Sequence, residues 1–335
     1  MNIIVQKYGG SSVENKKKLE TICNKIISYK EKKNDLVIVV SAMGKTTDNL
    51  IQKAKSFSNN PTKRELDLLL TTGEIQTVSL LSMMLNEKGY KAVGLTGAQA
   101  GIISDSTYGN ATIKSIYPDN IIKYLNDGYI VVVAGFQAVD RFGNITTLGR
   151  GGSDLSAVAI ASSLNAKNCE IYSDIDGVFS ADPKIIPRAK LLKKISYSEM
   201  LEAASAGAKV LHNRSVHMGK KNNIPIYVKN SLKNSRGTIV YNEDIEDIED
   251  FENYKVKFIT KKDDISKISI IGDMVMTNKD TVHKIFDLAA MENITIYMIT
   301  FSELSLNLIV DNNVAEEFMK KLHYELIEKK EDEES

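Results

Sequence analysis

Short runs of β-branched residues alternate with segments of helical periodicity over the first 240 residues, and this alternation limits the folds open to the chain. Continuous apolar runs of strand length are typical of parallel strands that are buried on both faces. The predicted strands are 3–6, 36–40, 91–95, 129–133, 169–173 and 224–228, and the predicted helices are 13–29, 62–88, 117–127, 153–164, 196–205 and 211–222. We therefore expect an α/β domain with a mostly parallel sheet covered by helices on both faces, and a small hairpin over 141–149.

The alternation stops near Val240, where the composition of the chain changes. Residues 241–254 carry seven carboxylates and no basic side chain, which favours a solvated acidic linker. Residues 255–327 then follow the order strand, helix, strand, strand, helix, which is most of a small ferredoxin-like βαββα domain. The segment 256–260 is a candidate for the remaining strand of that unit, and 328–335 is a charged tail.

The charges of the chain balance, with 43 basic and 43 acidic side chains, which argues against a dedicated nucleic-acid-binding protein. Cys23 and Cys169 lie far apart, so the sequence predicts neither a disulfide framework nor a zinc knuckle. There is no signal-peptide pattern at the amino terminus, and no apolar run approaches membrane-spanning length. We expect a cytoplasmic protein whose partners are small molecules or proteins, with no membrane and no nucleic acid among them.

Glycine-rich and hydroxyl-rich segments follow predicted strands, at the sheet edge where ligands bind in open α/β folds. In KYGGSSV, Gly9 and Gly10 allow a sharp turn and Lys7 adds a positive charge beside a helix start. By itself this segment favours an ordinary turn with a solvated lysine. In SAMGKTTD a P-loop is excluded, because Val39 stands where its first glycine is required. Thr47 of this segment is either a ligand contact or a helix cap.

Two further segments place charged side chains after strands. Arg150 lies among three glycines in GRGGSD, and its planar guanidinium suits bidentate binding of a carboxylate or a phosphate. Asp154 either caps the next helix or organises the charge of lysines or magnesium, and it excludes the GxGxxG fingerprint by replacing its last glycine. The segment 172–184, YSDIDGVFSADPK, is either a surface turn or part of a nucleotide pocket. We favour the pocket because the four segments follow neighbouring strands.

Glu74 differs from these residues because it lies within the apolar helical stretch 66–85. A carboxylate on a buried face requires a partner, and the ammonium group of a substrate is a candidate. A glutamate that faces solvent is the alternative. The four histidines show no metal-ligand spacing.

Six segments, in this order along the chain, resemble the aspartokinase family of the amino-acid kinase superfamily over residues 2 to about 240. They are KYGGSSV, VVSAMGKTTD, TTGE, TLGRGGSD, SDIDGVFSADP and GAKVLH. The rest of the chain resembles an ACT-type regulatory module. The resemblance implies a catalytic domain over 1–240 and an ACT-type domain over 255–327. The implied reaction transfers the γ-phosphoryl group of ATP to the β-carboxylate of L-aspartate, the first step towards lysine, threonine and methionine.

The resemblance also implies roles for individual residues. Lys7 would bridge the transferring phosphoryl group, and Asp154 would hold the lysines in place, as the catalytic residues. Arg150 would bind the α-carboxylate of aspartate and Glu74 its ammonium group, with Thr47 and Ser153 completing the substrate site. The implied ATP-binding residues are Lys7, Gly9, Gly10, Ser173, Asp174, Phe179, Asp182, Lys184 and Lys209. Mg²⁺ would be carried by the nucleotide phosphates, and no protein metal site is implied.

Members of the family usually carry two ACT modules, whereas this sequence has room for one. Because such modules pair across subunits in the family, we expect a homodimer through the ACT domain. The expected contact is an apolar sheet face made of Ile296, Met298, Leu306 and Leu308.

Two alternatives stay open. One is a sister kinase of the superfamily that acts on glutamate, N-acetylglutamate, carbamate or UMP. The other is a catalytically weak regulatory partner of a full-length aspartokinase, which the single ACT module suggests and the retained lysines, Arg150 and Asp154 argue against.

Overall fold

The computed structural model of the chain describes residues 1–208, 210–233, 235–242, 259–272, 279–302 and 304–329. The chain divides into two compact units, Met1–Thr260 and Lys261–Ser335. Strands of the first unit are β1 (Ile3–Tyr8), β2 (Asp35–Val40), β3 (Ala92–Leu95), β4 (Ile102–Ser104), β5 (Ile113–Ile116), β6 (Ile130–Ala134), β7 (Gln137–Val139), β8 (Ile145–Thr147), β9 (Asn168–Ser173), β10 (Lys194–Ser196), β11 (Ile226–Asn230) and β12 (Thr238–Tyr241). Its helices are α1 (Lys16–Lys30), α2 (Thr46–Phe57), α3 (Lys63–Leu70), α4 (Thr72–Glu87), α5 (Asp119–Asn126), α6 (Gly152–Ser163), α7 (Tyr197–Ser205) and α8 (Asn213–Asn222).

An eight-stranded sheet forms the centre of the first unit, with the strand order β10-β12-β11-β9-β1-β2-β6-β3. All neighbouring strands are parallel except β11 and β12. The six predicted strands all lie in this sheet, as β1, β2, β3, β6, β9 and β11. The mostly parallel α/β architecture is therefore confirmed.

Helices cover both faces of this sheet, which explains the continuous apolar runs. Ile4 and its alternating neighbours pack with α1 and α4 in one cluster, whereas Val5 and its alternating neighbours pack with α5 and α6 in another. Both side chains are buried, as the alternating side-chain directions of a two-face-buried strand require.

A second sheet of four short strands has the order β5-β4-β7-β8. It contains the predicted hairpin, because β7 and β8 are antiparallel and the amides of Phe142 and Asn144 each donate to Asp140 across the turn at 2.9 Å. The pattern of apolar residues did not predict β4 and β5, which have three and four residues and are too short for a periodic signal.

The predicted helix over 62–88 is two helices, α3 and α4, with Thr71 between them. Helix α2 was not predicted, and none of its residues is buried. Among the described residues, the stretch Lys63–Glu87 is long and apolar enough to span a membrane by length and composition. Half of that window is buried inside this unit, so it is weak support for a membrane span.

The second unit has the predicted order of elements. They are β13 (Ile265–Ile271), α9 (Lys279–Met291), β14 (Met298–Phe301), β15 (Ser305–Asp311), α10 (Asn312–His323) and a short π-helical turn, Tyr324–Glu328. The three strands form an antiparallel sheet with the order β13-β15-β14. Residues 256–258, in the candidate for a further strand, lie outside the described residues. Ile259 belongs to the first unit, where its amide donates to Ser180 O at 2.9 Å.

The prediction that Ile296, Met298, Leu306 and Leu308 form one exposed apolar face of this sheet is wrong. Leu306 and Leu308 are fully buried in the core of the unit beneath α9 and α10, and Ile296 packs against the same core. Only Met298 of the four is exposed, at 58% of its surface. The leucines alternate with outward residues along β15, and the helices cover the face that they occupy.

Candidate active site

Three of the four segments predicted to bind ligand follow β1, β2 and β9 at one edge of the large sheet, whereas GRGGSD follows β8 of the second sheet. In the registers of the central strands, Tyr8 pairs with both Val40 and Tyr172, and Val40 pairs with Ala134. These residues stand at or next to the carboxyl ends of β1, β2, β9 and β6. The chain segments that follow them are therefore neighbours in space, at the position where open α/β sheets bind ligands.

Lys7 and Asp154 form an ion pair at this edge, with Nζ 2.6 Å from Oδ1. Lys7 is the penultimate residue of β1, and Asp154 lies in the first turn of α6. Their side chains are 11% and 14% exposed, so the pair is largely shielded from water but remains open to a ligand. The carboxylate fixes the position of the ammonium group without occupying all of its donors.

The backbone at Gly9 and Gly10 passes through a narrow space. A Cβ atom at Gly10 would lie 2.8 Å from the carbonyl oxygen of Ala42, and one at Gly9 would lie 3.4 Å from the Lys7 ammonium. Among the described residues, the amides of Gly10 and Ser11 have no acceptor. Two free amides beside a lysine suit an anionic group such as phosphate.

Glu74 lies in the first turn of α4 and is 3% exposed. Its Oε1 accepts a hydrogen bond from the amide of Ala42 at 3.1 Å, whereas its Oε2 is buried without a partner. Burial raises the pKa of Glu74 to about 7, although backbone hydrogen bonds lower it. Of the two alternatives that the sequence left open, the structure shows the buried carboxylate, and an unpartnered buried oxygen suits a cationic group of a ligand.

Three further predicted site residues lie at or just before the starts of α2 and α6. Thr47, in the first turn of α2, is half-buried, and Ser153, in the first turn of α6, is buried. Arg150 is exposed and has no hydrogen bond or ion pair within the described part of the chain. Its guanidinium is therefore free to bind an anionic ligand.

The segment after β9 approaches the edge only at its start. Ser173 follows Tyr172, whose carbonyl accepts from the Gly9 amide at 3.3 Å, and Asp174 is exposed beside it. Phe179 is half-buried and forms a β-bridge with Leu191.

The remaining predicted ATP-binding residues do not meet Lys7 in the structure. Asp182 and Lys184 lie on an exposed turn, in which Asp182 Oδ1 accepts from the Lys184 amide at 2.9 Å. Within the described residues, neither has a polar contact with Lys7 or with the Gly9–Gly10 turn. Lys209 lies outside the described residues.

Asn230 was missed by the sequence interpretation and holds the start of this segment. It is 4% exposed, and its Nδ2 donates to Asp174 O at 3.2 Å and to Asp176 Oδ1 at 2.8 Å. Lys25 in turn donates to the carbonyl of Asn230 at 3.1 Å. The only local signal was a polar residue at the end of a predicted strand, and that signal does not identify its partners.

A buried polar network beneath the same strands was also missed. Glu170 is 3% exposed, and it bonds Lys229 at 2.6 Å, Gln6 at 2.9 Å and the Tyr172 hydroxyl at 3.0 Å. The network joins β1, β9 and β11 just before their carboxyl ends. It therefore fixes the strands from which the Lys7 and Ser173 segments emerge.

Comparison with known proteins identifies the relatives of both units. Residues 2–230 match the description "Amino acid kinase family", and residues 268–326 match "ACT domain". Aspartokinase of Geobacillus stearothermophilus is 48% identical over 272 residues, which are 81% of this chain and 66% of that protein. Aspartokinase 2 of Bacillus subtilis is 45% identical over 299 residues, which are 89% of this chain and 72% of that protein. The chain thus spans slightly less than two thirds of the length of the Geobacillus protein.

A solved structure shows the same fold at lower identity. The crystal structure of E. coli aspartokinase III in complex with aspartate and ADP superposes with a TM-score of 0.74, covering 92% of this chain and 78% of that one at 22% identity.

Proposed function

The chain belongs to the amino acid kinase family, in its aspartokinase branch, and from this premise we propose that it transfers the γ-phosphoryl group of ATP to the β-carboxylate of L-aspartate. The product is 4-phospho-L-aspartate. The observation that carries the proposal is the buried Oε2 of Glu74, which has no hydrogen-bond partner. The other oxygen of this carboxylate accepts from the amide of Ala42, and Gly10 packs against the carbonyl of Ala42. A site for an ammonium group therefore lies beside a phosphate cradle, which suits an amino acid as phosphoryl acceptor.

The proposed aspartate site combines a cation, an anion and two hydroxyl groups. Arg150 binds the α-carboxylate through two parallel hydrogen bonds, and Glu74 binds the ammonium group through its free oxygen. Thr47 and Ser153 supply hydroxyl groups for the remaining oxygens. The β-carboxylate is thereby directed towards Lys7.

Phosphoryl transfer depends on position and on charge neutralisation more than on covalent chemistry. Lys7 places its ammonium at the transferring phosphoryl group, and the free amides of Gly10 and Ser11 donate to phosphate oxygens. Asp154 holds Lys7 in place before the substrates bind, so the site is preorganised. The acceptor is already an ionised carboxylate, so the step needs no general base.

In this proposal the metal ion enters the site bound to the nucleotide. Among the described residues there is no group of three or more His, Cys, Asp or Glu side chains that could hold a metal ion. We infer that Mg²⁺ is carried by the ATP phosphates, where it neutralises their charge. Ser173, Asp174, Phe179, Asp182 and Lys184 are the proposed contacts to the rest of the nucleotide.

An acyl phosphate assay tests the function. The protein is supplied with MgATP and hydroxylamine, and aspartate, glutamate and carbamate are compared in parallel, with UMP as a further acceptor assayed by ADP release. We expect aspartyl hydroxamate to form in preference to every other product. Preference for another acceptor would assign the chain to a sister activity, and no turnover with any acceptor would favour a regulatory role.

The Arg150→Lys variant should raise the KM for aspartate far more than the KM for ATP. Lysine keeps the charge but loses the second hydrogen bond and the fixed plane, so binding should weaken by roughly 1 to 3 kcal/mol. Steady-state kinetics with each substrate varied in turn measures the effect, with Arg64→Lys on the exposed start of α3 as the matched control. A larger effect on ATP would place Arg150 in the phosphate site.

We also propose a homodimer through the ACT domain, which the ACT match and the exposed apolar residues of β14 support. Met298 and Phe301 are 58% and 52% exposed. They lie on β14, which is an edge strand of the sheet formed by the described residues. A Met298→Glu, Phe301→Glu variant should therefore shift the protein towards monomer at micromolar concentration. Sedimentation measures this, with Met319→Glu on α10 as the control, and an unchanged mass would contradict the proposed contact.

A further inference from the structure

The loop that carries Arg150 is enclosed by two segments from distant parts of the chain. Gly149 and Gly151 have φ angles of 75° and 69°, a left-handed conformation that favours glycine. A Cβ atom at Gly149 would lie 2.6 Å from Asn110 Oδ1, and one at Gly151 would lie 2.4 Å from His212 Cβ. The backbone of the loop thus packs closely between residue 110 and the start of α8.

Arg214 ties these segments together from α8. Its Nη1 donates to the carbonyl of Leu148 at 2.5 Å and to Asn110 Oδ1 at 3.2 Å. Its Nη2 donates to the carbonyl of Ala111 at 2.7 Å. One planar guanidinium therefore holds the residue just before Gly149 and the segment that packs against it. Lysine, with a single nitrogen, cannot reproduce this geometry.

Asp67 of α3 holds the same two segments through its carboxylate. It is 2% exposed, and its Oδ2 accepts from the amides of Gly109 at 2.9 Å and Thr147 at 2.8 Å. Its Oδ1 accepts from the Thr147 hydroxyl at 2.8 Å. The amide of Ala111 also donates to the carbonyl of Thr147 at 2.8 Å, which joins the segments directly.

We propose that Arg214 and Asp67 are positioning residues that fix the Arg150 loop and thereby set the affinity for the α-carboxylate of the acceptor. The choice of ligand for Arg150 rests on the proposed function. Arg150 has no side-chain partner in the described chain, so the loop backbone sets the region that its guanidinium can reach. The nucleotide segment has a separate anchor in Asn230, and no described hydrogen bond links that anchor to Arg214 or Asp67. Loosening the loop should therefore affect the acceptor and spare ATP.

Hydrogen exchange of the ligand-free protein tests whether Arg214 and Asp67 hold the Arg150 loop. In a peptide covering 145–153, exchange should accelerate in Arg214→Ala, in Arg214→Lys and in Asp67→Asn, while peptides from β1 and β9 keep the wild-type rate. Arg64→Ala is the matched control, because Arg64 is an exposed arginine of α3 that bonds Asn144 of the adjacent hairpin. Unchanged exchange over 145–153 in the three variants would overturn the proposal.

Kinetics then test the consequence for the acceptor. In Arg214→Lys the KM for aspartate should rise about tenfold, since small displacements of a binding group have large effects, while the KM for ATP stays within about twofold. Combined with Arg150→Lys, the two effects should be clearly less than additive, because Arg214 acts through Arg150. Equal increases in both KM values, or full additivity, would count against a positioning role.

The two proposals can fail separately. If the wild-type protein forms no hydroxamate with aspartate, the proposed function fails, whereas the exchange rates over 145–153 still decide whether Arg214 and Asp67 hold the loop.

Discussion

Lys7→Ala is expected to lower kcat by a factor of about 100 or more, because removal of one preorganised charge at a reacting phosphoryl group costs on the order of 3 kcal/mol in the activation barrier. The amides of Gly10 and Ser11 cannot replace it, since they are neutral donors at fixed positions. The hydroxamate assay under saturating ATP and aspartate measures the loss. Lys114→Ala, which removes a lysine from an exposed ion pair with Asp105, is the control and should retain wild-type turnover.

The same substitution also leaves Asp154 without its partner, so the loss of turnover must be separated from a loss of stability. Breaking a fully buried pair costs roughly 3 to 5 kcal/mol, and the cost here should be smaller because both side chains remain partly exposed. A Lys7→Met, Asp154→Asn double variant removes both charges and should recover most of the stability without recovering activity. Near-normal turnover in Lys7→Ala or in the double variant would refute the assignment of Lys7.

Glu74→Gln is expected to change how the stability of the ligand-free protein depends on pH. The unfolding free energy of the variant minus that of the wild type should increase by about 3 kcal/mol between pH 5 and pH 8. Burial raises the pKa of Glu74 from 4.5 to about 7, so the folded state binds a proton that the unfolded state has already lost. The contribution of the protonated form is complete below pH 4.5 and is lost as the pH rises through 7. Glutamine does not titrate, and the variant should lack this part of the pH dependence.

Unfolding free energies of wild type and variant at pH 5, 6, 7 and 8 measure the difference. Glu65→Gln, which replaces an exposed carboxylate of α3, is the control and should follow the wild-type profile. Parallel profiles for Glu74→Gln and wild type would show that the buried carboxylate does not titrate in this range.

The same proton controls aspartate binding. Only the ionised carboxylate attracts the substrate ammonium, so the KM for aspartate should fall as the pH rises through about 7. In Glu74→Gln the KM should be high and nearly independent of pH over this range. A KM for ATP that stays constant would assign the effect to the amino acid site.

The order of strands and helices in both units could be predicted from the sequence, because burial on both faces of β1, β2, β6 and β9 produces apolar runs that are visible locally. The glycines after β1 and before α6 were also visible, since few residues tolerate those turns. The carboxyl ends of parallel strands necessarily meet at one edge. Thus Lys7 and Ser173 could be assigned to one edge of the sheet before their positions were known. Asp154 follows β8 of the second sheet, and only the structure shows that it lies beside Lys7.

Contacts between distant residues were decided only by the tertiary structure. The sequence left Glu74 equally open to burial or solvent, and the approach of α4 to Ala42 settled the choice. The strands β4 and β5 are too short to give a periodic signal. In the ACT domain, alternation along β15 did not say which face the helices cover, so Leu306 and Leu308 were assigned to the wrong face.

Arg214 and Asp67 illustrate the same limit within the active site. Each is an ordinary charged residue on a helix when the sequence is considered locally, and their hydrogen-bond partners lie between 42 and 104 positions away in the chain. When a side chain bonds backbone carbonyls and amides, its partner can be almost any residue type. The sequence therefore gives no sign of which residues are paired. The sequence by itself determined the elements and the ligand-binding edge, whereas folding decided which charged side chains hold that edge in place, because only folding brings those backbone groups within hydrogen-bonding distance.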